Sequence, residues 1–129
     1  MRPSISSPHD ARSKLADQRR GRMAELAAAC LLVCKGYRIR ARRHRTPYGE
    51  IDIIATRWRR IAFVEVKYRP SRARAEAALT PRQGARIAQA ADYWLARRPR
   101  FAGHVVGLDA VLVLPRRLPV HLPNALDEA

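Results

Sequence analysis

The sequence predicts an α/β fold in which a central mixed β-sheet is flanked by helices. Three observations favour it: a long helical pattern near the N-terminus, three strand-like segments directly after it, and a second helical pattern before two late strands. The predicted order is therefore α-β-β-β-α-β-β. The chain has 129 residues, which fits one domain, and its 47% hydrophobic content is sufficient for a folded core.

The first helix is predicted from about Ala11 to Lys35, with Gly36 ending it in the position that favours glycine. Residues 1–10 show no periodicity and are predicted to be a disordered N-terminus, so that the domain spans residues 11–129. One apolar stripe follows helical spacing and consists of Met23, Leu26, Ala27, Cys30, Leu31 and Cys34. The two cysteines lack zinc-site spacing and are predicted to be small buried residues.

Three strands are predicted next, at Tyr37–His44, Glu50–Thr56 and Ile61–Tyr68. In the first, alternating arginines predict one buried face, carrying Tyr37, Ile39 and Ala41, and one basic face. In the second, we expect a shared face for Ile51, Ile53 and Ala55. The third is apolar on both sides, which is typical of a central strand covered by helices.

The second half begins with a basic, alanine-rich connector at residues 69–79. Thr80 and Gln83 then form a capping-box pattern with proline between them, and the helix that follows is predicted to end near Arg97. Tyr93 and Trp94 are expected to pack in the core. The late strands are predicted at Val105–Leu114 and Val120–Leu122.

The charge balance is strongly basic, with 26 Lys and Arg residues against 11 Asp and Glu residues, a formal net charge of +15. Such a surface attracts polyanions, of which nucleic acid is the commonest. A basic composition without a binding role is the alternative. Because no apolar run is long enough to span a bilayer and no secretion signal is visible, we expect a cytoplasmic protein that does not bind membranes.

Acidic residues are rare in the segment that holds the three predicted strands. Between Leu26 and Ala75 only Glu50, Asp52 and Glu65 are acidic, and all three fall on predicted strands. If the two strands form a hairpin, Asp52 and Glu65 can converge, with Lys67 beside them. Two such carboxylates repel each other unless a cation compensates, which predicts a Mg²⁺ or Mn²⁺ site. Simple ion pairing with lysine and arginine is the alternative.

These segments resemble a known nuclease signature. Gly49–Ala55 followed by Phe63–Lys67, with the spaced aspartate and the Glu-x-Lys element, resembles the PD-(D/E)XK superfamily. From about Gly21 to Ala125 the chain more closely resembles the bacterial YraN-like family. The resemblance implies a restriction-endonuclease-like core for the predicted α/β fold.

The resemblance also implies roles for individual residues. Asp52, Glu65 and the Val66 carbonyl match the metal ligands, and Lys67 matches the catalytic lysine. Glu25 and Gln83 match further active-site residues, and Glu50 a supporting one. Family members often carry lysine where Gln83 stands, and Arg-Phe-Asp where this chain has Gly107–Asp109. Asp109 is expected to pair with a core arginine rather than to take part in catalysis.

Several basic segments are candidates for contacting phosphates. The predicted nucleic-acid-binding residues are Arg42, Arg43, Arg45, Arg57, Trp58, Arg59, Arg69 and Arg72. Trp58 is predicted either to stack on an unpaired base or to cover the edge of the sheet with its indole.

The resulting hypothesis is a nucleic-acid-binding protein that acts as a Mg²⁺-dependent DNA endonuclease or resolvase-like phosphodiesterase. The alternative is a non-catalytic DNA- or RNA-binding module that keeps the nuclease fold, and a third candidate is a basic protein associated with the ribosome. DNA is favoured over RNA as the partner, and a homodimer is left open.

Overall fold

The computed structural model describes residues 8–127, and the side chains of residues 11–127. Its elements are α1 Pro8–Cys34, β1 Arg38–Thr46, β2 Gly49–Arg57, β3 Arg60–Tyr68, α2 Arg72–Ala77, α3 Pro81–Ala96, β4 Val105–Val113 and β5 Val120–Leu122. The predicted order is confirmed, with the short helix α2 and a 3-10 turn at Pro99–Phe101 in addition. Because α1 begins at Pro8, the helix starts three residues before its predicted start, and the disorder predicted for residues 1–7 lies outside the described residues.

One five-stranded mixed sheet organises the fold, in the order β1-β2-β3-β4-β5. The first three strands form consecutive antiparallel hairpins. α3 lies in the connection between β3 and β4, which pair in parallel, and β5 returns antiparallel to β4. β3 is therefore the central strand, as its apolar faces predicted.

Helices cover both faces of the sheet. α1 packs on one face, where β3 contributes Ala62, Val64 and Val66. α3 packs on the other, where β3 contributes Ile61 and Phe63 and the helix contributes Ile87, Ala91 and Trp94. The predicted core position of Trp94 is confirmed. Tyr93 is only half-buried, and its ring lies 3.6 Å from the Arg97 guanidinium rather than in either core cluster.

The predicted apolar stripe of α1 is wrong in its orientation. The side chains that face the sheet are those of Ala24, Ala28, Ala29 and Leu32. Met23 is 70% exposed and Leu26 53% exposed, and both predicted buried thiols, Cys30 and Cys34, are exposed. The C-terminal half of α1 is apolar on two sides, so periodicity alone did not identify the inner one. The alanine side, with its small side chains, is the one that packs on the sheet.

The predicted side-chain alternation fails at two points in the hairpin of β1 and β2. A register shift between Ile39 and Ala41 places Ile39 in the α1 layer and Ala41 in the α3 layer. On β2, Ile51 packs in the α3 layer while Ile53 packs in the α1 layer, so the alternation is interrupted at Asp52. An irregularity of one residue reverses the face of every later side chain, and a period-two pattern does not predict it.

Helices long and apolar enough to cross a bilayer are absent from the part of the chain that the structure describes.

Candidate metal centre

β2 and β3 separate at Asp52. Their antiparallel register runs from the pair Arg57 and Arg60 to the pair Ile53 and Val64 and stops there. One residue further along β2, the Asp52 carboxylate accepts a hydrogen bond from the Val66 N–H at 2.8 Å. A side chain thus satisfies a donor on β3 beyond the end of the ladder.

A cavity of about 400 Å³ lies at this end of the hairpin and is lined by Glu25 of α1, Asp52 of β2 and Glu65 of β3. Carboxylate oxygens of Glu25, Glu50 and Asp52 lie within 4.8 Å of one another. Three elements distant in sequence therefore bring four acids to one place. The cavity includes both Asp52 and Glu65, which is the convergence that the strand spacing predicted.

Cations neutralise three of these four acids. The contacts are Glu25 Oε2 with Arg43 Nε at 2.9 Å, Glu50 Oε2 with Arg45 Nε at 3.8 Å, and Glu65 with Lys67 Nζ at 3.3 Å and Arg86 Nη2 at 3.6 Å. Within the described residues Asp52 has no cationic partner. Ion pairing, the alternative drawn from the sequence, therefore accounts for Glu25, Glu50 and Glu65 but leaves Asp52 uncompensated.

The proton affinity of Asp52 reflects its lack of a cationic partner. Burial of the carboxylate and the nearby charge of Glu65 raise the pKa of Asp52 to about 7, although the Val66 N–H opposes the shift. The pKa of Glu25 is also raised, mainly by burial, with the Arg43 charge acting against it. Burial therefore favours the protonated form of both carboxyl groups.

Glu25 also carries an unsatisfied acceptor. Its Oε2 is buried and, among the described residues, accepts no hydrogen bond of good geometry, although the charge of Arg43 lies close. Unsatisfied buried oxygens are uncommon and costly. An all-carboxylate donor set suits a hard divalent cation such as Mg²⁺ or Mn²⁺. Val66 lines the cavity as well, and its predicted role as a carbonyl ligand stays a prediction.

Lys67 is buried and held from two sides. Its ammonium contacts Glu65, and with the Gln83 amide oriented to satisfy both of its neighbours, Gln83 Oε1 accepts from Lys67 Nζ at 2.6 Å. The Gln83 amide group then donates to the Ala78 carbonyl at 2.7 Å. Thr80 caps α3 by accepting from the Gln83 N–H at 3.2 Å, as predicted, but the Gln83 side chain serves Lys67 instead of completing the capping box.

Arg86 is a member of this site that the sequence analysis missed. Its guanidinium donates to the Glu50 carbonyl at 3.3 Å and lies 3.6 Å from Glu65 Oε2, so it joins the two strands that carry the acids. It also occupies the space beside Gly49, where a β-carbon would lie 2.2 Å from Arg86 Nη1. The available signal was the position of Arg86 three residues after Gln83, on the same side of α3.

Asp109 belongs to a separate network, on the α1 side of β4. It is fully buried and accepts from both terminal nitrogens of Arg60 at 2.7 Å, which confirms the expected pairing with a core arginine. His121 of β5 and the Asn124 N–H also contact the carboxylate, at 2.8 and 2.9 Å. Burial by itself would raise the pKa of Asp109, but these partners lower it to about 2. Asp109 therefore has a structural role.

The glycine at position 107 has a physical reason in this network. A β-carbon there would lie 2.1 Å from Arg60 Nη2 and 2.8 Å from Asp109 Oδ1. The Arg60 guanidinium thus fills the space that a side chain at position 107 would need.

The predicted nucleic-acid-binding residues divide into two groups. Arg42, Arg43 and Arg45 line a groove of about 680 Å³ that also includes Glu25, and Arg69 lines the acid cavity. Arg57, Trp58 and Arg59 lie at the other end of the hairpin, where Trp58 is six residues and therefore roughly 20 Å from Asp52 along β2.

Besides Arg43 and Arg45, which pair with acids of the site, three more of these arginines make contacts within the molecule, and Arg69 does so by donating to the Tyr68 carbonyl at 2.7 Å. Arg57 donates to the Lys35 carbonyl at 3.0 Å and lies over the Tyr37 ring, and Arg72 pairs with Glu76 at 2.9 Å. Arg22, which was not among the predicted contacts, lines the same groove as Arg42 and Arg43.

Comparison with known proteins identifies the family. The uncharacterised protein family UPF0102 matches residues 24–113, which include the four acids of the site and strands β1 to β4. The chain belongs to this family. UPF0102 is the YraN-like family, so the resemblance drawn from the sequence motifs is confirmed.

Relatives within UPF0102 are similar over most of the chain. A UPF0102 protein of Rhodopseudomonas palustris (strain BisB5) is 56% identical over 107 residues, covering 83% of this chain and 82% of the relative. UPF0102 protein bll0669 of Bradyrhizobium diazoefficiens is 50% identical over 125 residues, covering 97% of this chain and 91% of the relative. A UPF0102 protein of Nitrobacter winogradskyi is 52% identical over 107 residues, covering 83% of this chain and 91% of the relative.

Proposed function

We propose that this protein is a divalent-metal-dependent phosphodiesterase that acts on nucleic acid, with DNA as the favoured substrate. The observation that carries the proposal is the environment of Asp52. It is a carboxylate without a cationic partner among the described residues, placed among three other acids in a cavity, with its pKa raised to about 7. Such a group is stabilised by a bound cation far more than by its own surroundings.

Asp52, Glu65 and Glu25 would hold a Mg²⁺ or Mn²⁺ ion, with the Val66 carbonyl as a further candidate ligand. The metal supplies Lewis acidity, which stabilises negative charge on a phosphodiester and acidifies water. Lys67 neutralises charge that develops on the phosphate, and Gln83 fixes the position of its ammonium. Arg69, together with Arg42 and Arg45 in the adjoining groove, orients the neighbouring phosphates.

One observation favours the second candidate, a nucleic-acid-binding module without cleavage. Lys67 is already paired with Glu65 and Gln83, and Glu65 has a second cation in Arg86. In this arrangement the lysine is less available to a phosphate, and the acids serve to hold a structural ion. The two candidates share metal binding and differ only in turnover.

The test combines metal binding with cleavage. Mn²⁺ binding is measured by calorimetry on metal-free protein, and cleavage is followed on duplex, branched and single-stranded DNA with Mg²⁺, Mn²⁺ or EDTA. Asp52→Asn is expected to weaken Mn²⁺ binding by about 10-fold or more, a loss of roughly 1.4 kcal/mol. Lys67→Met is expected to bind Mn²⁺ like the wild type and to lose cleavage.

Glu76→Gln is the matched control, because it removes an exposed acid that pairs with Arg72 away from the cavity. It should leave both measurements unchanged. Cleavage that persists in Asp52→Asn and Lys67→Met would identify a contaminating nuclease. Mn²⁺ binding without cleavage of any of the three DNA forms would support the non-catalytic module instead.

A further inference from the structure

The tip of the β2–β3 hairpin presents an aromatic side chain to solvent. Trp58 is 92% exposed, so its indole does not cover the edge of the sheet, which was one of the two predictions for it. Its backbone has φ +56°, a conformation that bulky residues rarely adopt and that glycine adopts readily. A large apolar ring is therefore held in solvent, on a strained backbone, at a position where glycine would be better tolerated. Strain of this kind clusters at functional sites.

A cationic groove begins at the next residue. Arg59 lines a depression of about 310 Å³ together with Arg100, Gly103 and His104, and none of these lining residues is acidic. The Val105 N–H donates to the Arg59 carbonyl at 2.7 Å, which fixes the loop of the groove to the hairpin tip. Among the described residues Arg59 has no ion pair. Its charge is therefore available to a ligand.

The aromatic residue Phe101 anchors the groove to the core. It is buried, the Arg100 guanidinium lies 4.7 Å from the centre of its ring, and His104 packs against it edge-on at 5.2 Å. Arg100 and His104 are thus held by a core residue, and the groove has a defined shape. An ordinary solvated basic surface lacks both this anchoring and the exposed indole.

We propose that Trp58 and this groove form a subsite for single-stranded nucleic acid. An unpaired base stacks on the indole, and the adjoining phosphates contact Arg59 and Arg100, which is how proteins hold single strands without reading sequence. An exposed tryptophan can also anchor a protein partner, but such anchors lie in apolar, water-excluding surroundings. Val105, beside the tip, is 67% exposed, but it is a small side chain. The groove itself is lined by Arg59, Arg100 and His104 and by no acid, which favours the phosphate backbone.

This subsite defines the substrate class of the proposed phosphodiesterase and rests on that function only for its link to cleavage. Trp58 lies roughly 20 Å from Asp52 along β2, at the opposite end of the hairpin. The expected substrate therefore has an unpaired segment several nucleotides from the phosphate at the acid cavity. A frayed, branched or gapped DNA meets this condition, and a continuous duplex does not.

The test uses the intrinsic fluorescence of the full-length protein. The chain has two tryptophans, and Trp94 is buried against Phe63, so the solvent-exposed emission comes from Trp58. The probes are oligothymidylate, a blunt duplex, and heparin as a polyanion without bases. Oligothymidylate is expected to quench the exposed emission, and heparin is expected to bind without quenching it.

Trp58→Gly is the informative variant, because glycine suits the backbone at this position and the protein should fold at least as well. Its affinity for oligothymidylate is expected to fall about 5- to 100-fold, while duplex affinity stays the same. Trp58→Phe should recover part of the loss, and Leu118→Ala, which removes another highly exposed apolar side chain, should have no effect.

The proposal would be overturned if Trp58→Gly bound oligothymidylate as tightly as the wild type does. It would also be overturned if heparin quenched the emission of Trp58 as strongly as oligothymidylate does. The tip would then be a docking point for a protein. The outcome is independent of the acid cavity. Asp52→Asn should retain the quenching even though it loses metal binding, so failure of the proposed catalysis and failure of this subsite are distinguishable.

Discussion

A single carboxylate, Asp52, determines the chemistry of the acid cavity. Its neighbours Glu25, Glu50 and Glu65 each have an arginine or lysine partner, whereas the nearest donor to Asp52 is a backbone N–H. A buried carboxylate without a cation destabilises the fold whenever it is ionised. Its retention at the end of β2 is understandable if a ligand compensates the charge.

The raised pKa of Asp52 leads to a pH prediction for the metal-free protein. Its pKa is about 7 in the folded state against 3.8 when unperturbed, so between these values the folded state binds more protons than the unfolded state. The free energy of unfolding should therefore fall as pH rises from about 4 to about 7. Urea denaturation in EDTA at pH 5 and pH 8 measures the change.

Asp52→Asn cannot ionise and should be more stable than wild type at pH 8, with a smaller difference at pH 5. Mn²⁺ competes with the proton, so it should raise the melting temperature of the wild type more at pH 8 than at pH 5. A wild-type stability that rises steadily over this range would show that Asp52 is solvated or already compensated.

Gly49 and Arg86 provide a second prediction at the scale of single residues. Gly49 has φ +126°, and its missing β-carbon leaves room for the Arg86 guanidinium. Gly49→Ala should lower the free energy of unfolding by roughly 1–3 kcal/mol through backbone strain and the clash. In an Arg86→Ala background the clash is absent and only the backbone strain remains. Gly49→Ala should therefore lower the free energy of unfolding by less in that background. A double-mutant cycle from urea denaturation measures this coupling, and strictly additive effects would contradict the contact.

Strand spacing predicted that the acids of β2 and β3 and Lys67 lie together, but it did not predict the contact of Arg86 with them. Glu50, Asp52, Glu65 and Lys67 could be placed together because the period of a strand and the shortness of a hairpin bring them close. Arg86 could not, because its contact depends on how α3 crosses the sheet and on the glycine opposite. Long-range contacts of flexible side chains have no periodic signature in the sequence.

At the scale of elements, the positions of the strands followed the sequence closely, whereas the faces of β1 and β2 and the inner side of α1 did not. The strands could be predicted because arginines alternate with apolar residues in β1 and because β3 is apolar on both faces. The inner side of α1 could not, because alanines occupy it while larger apolar residues face solvent. α2 was missed because it is a single short helix, Arg72–Ala77, whose cap is the Ser71 hydroxyl accepting from the Arg74 N–H at 3.3 Å.

The ion pair between Arg60 and Asp109 is expected to stabilise the packing of β3, β4 and β5. Arg60 of β3, Asp109 of β4 and His121 of β5 meet in a buried cluster that also reaches Tyr37 after α1. Asp109→Asn leaves the Arg60 charge unpaired and should lower the free energy of unfolding by about 3–5 kcal/mol. Urea denaturation at pH 7 measures the loss, and Asp92→Asn, an exposed acid on α3, is the control that should change it little.

The low pKa of Asp109 fixes the pH range of this effect. Since the pKa is about 2 in the folded state and 3.8 when unperturbed, the stabilising contribution is present above about pH 4 and is lost as pH falls towards 2. The stability difference between wild type and Asp109→Asn should therefore narrow over that range. A difference that is the same at pH 3 and pH 7 would indicate a packing role instead.

At the scale of the whole molecule, the net charge of +15 could be read from composition, but its distribution could not. The structure separates the basic residues into a groove beside the acid cavity and a second groove at the hairpin tip, and it uses several arginines for internal contacts. The two grooves place cations side by side, where they can follow a phosphate backbone, so the number of phosphates contacted should be far smaller than the net charge.

This distribution predicts the salt dependence of DNA binding. Each phosphate contact to duplex DNA contributes about −0.9 to the slope of log K against log[salt]. Replacing Arg42 and Arg45, which line the groove beside the acids, with glutamine should therefore make the slope shallower by about 2, and Arg97→Gln, on an arginine stacked against Tyr93, should leave it unchanged. Fluorescence anisotropy of labelled duplex between 50 and 200 mM salt measures the slope. The groove would not be the binding surface if affinity for duplex DNA did not change over that range of salt. The same conclusion would follow if Arg97→Gln reduced the slope as much as the double substitution of Arg42 and Arg45. Binding would then depend on the positive charge of the whole surface rather than on a groove next to Asp52.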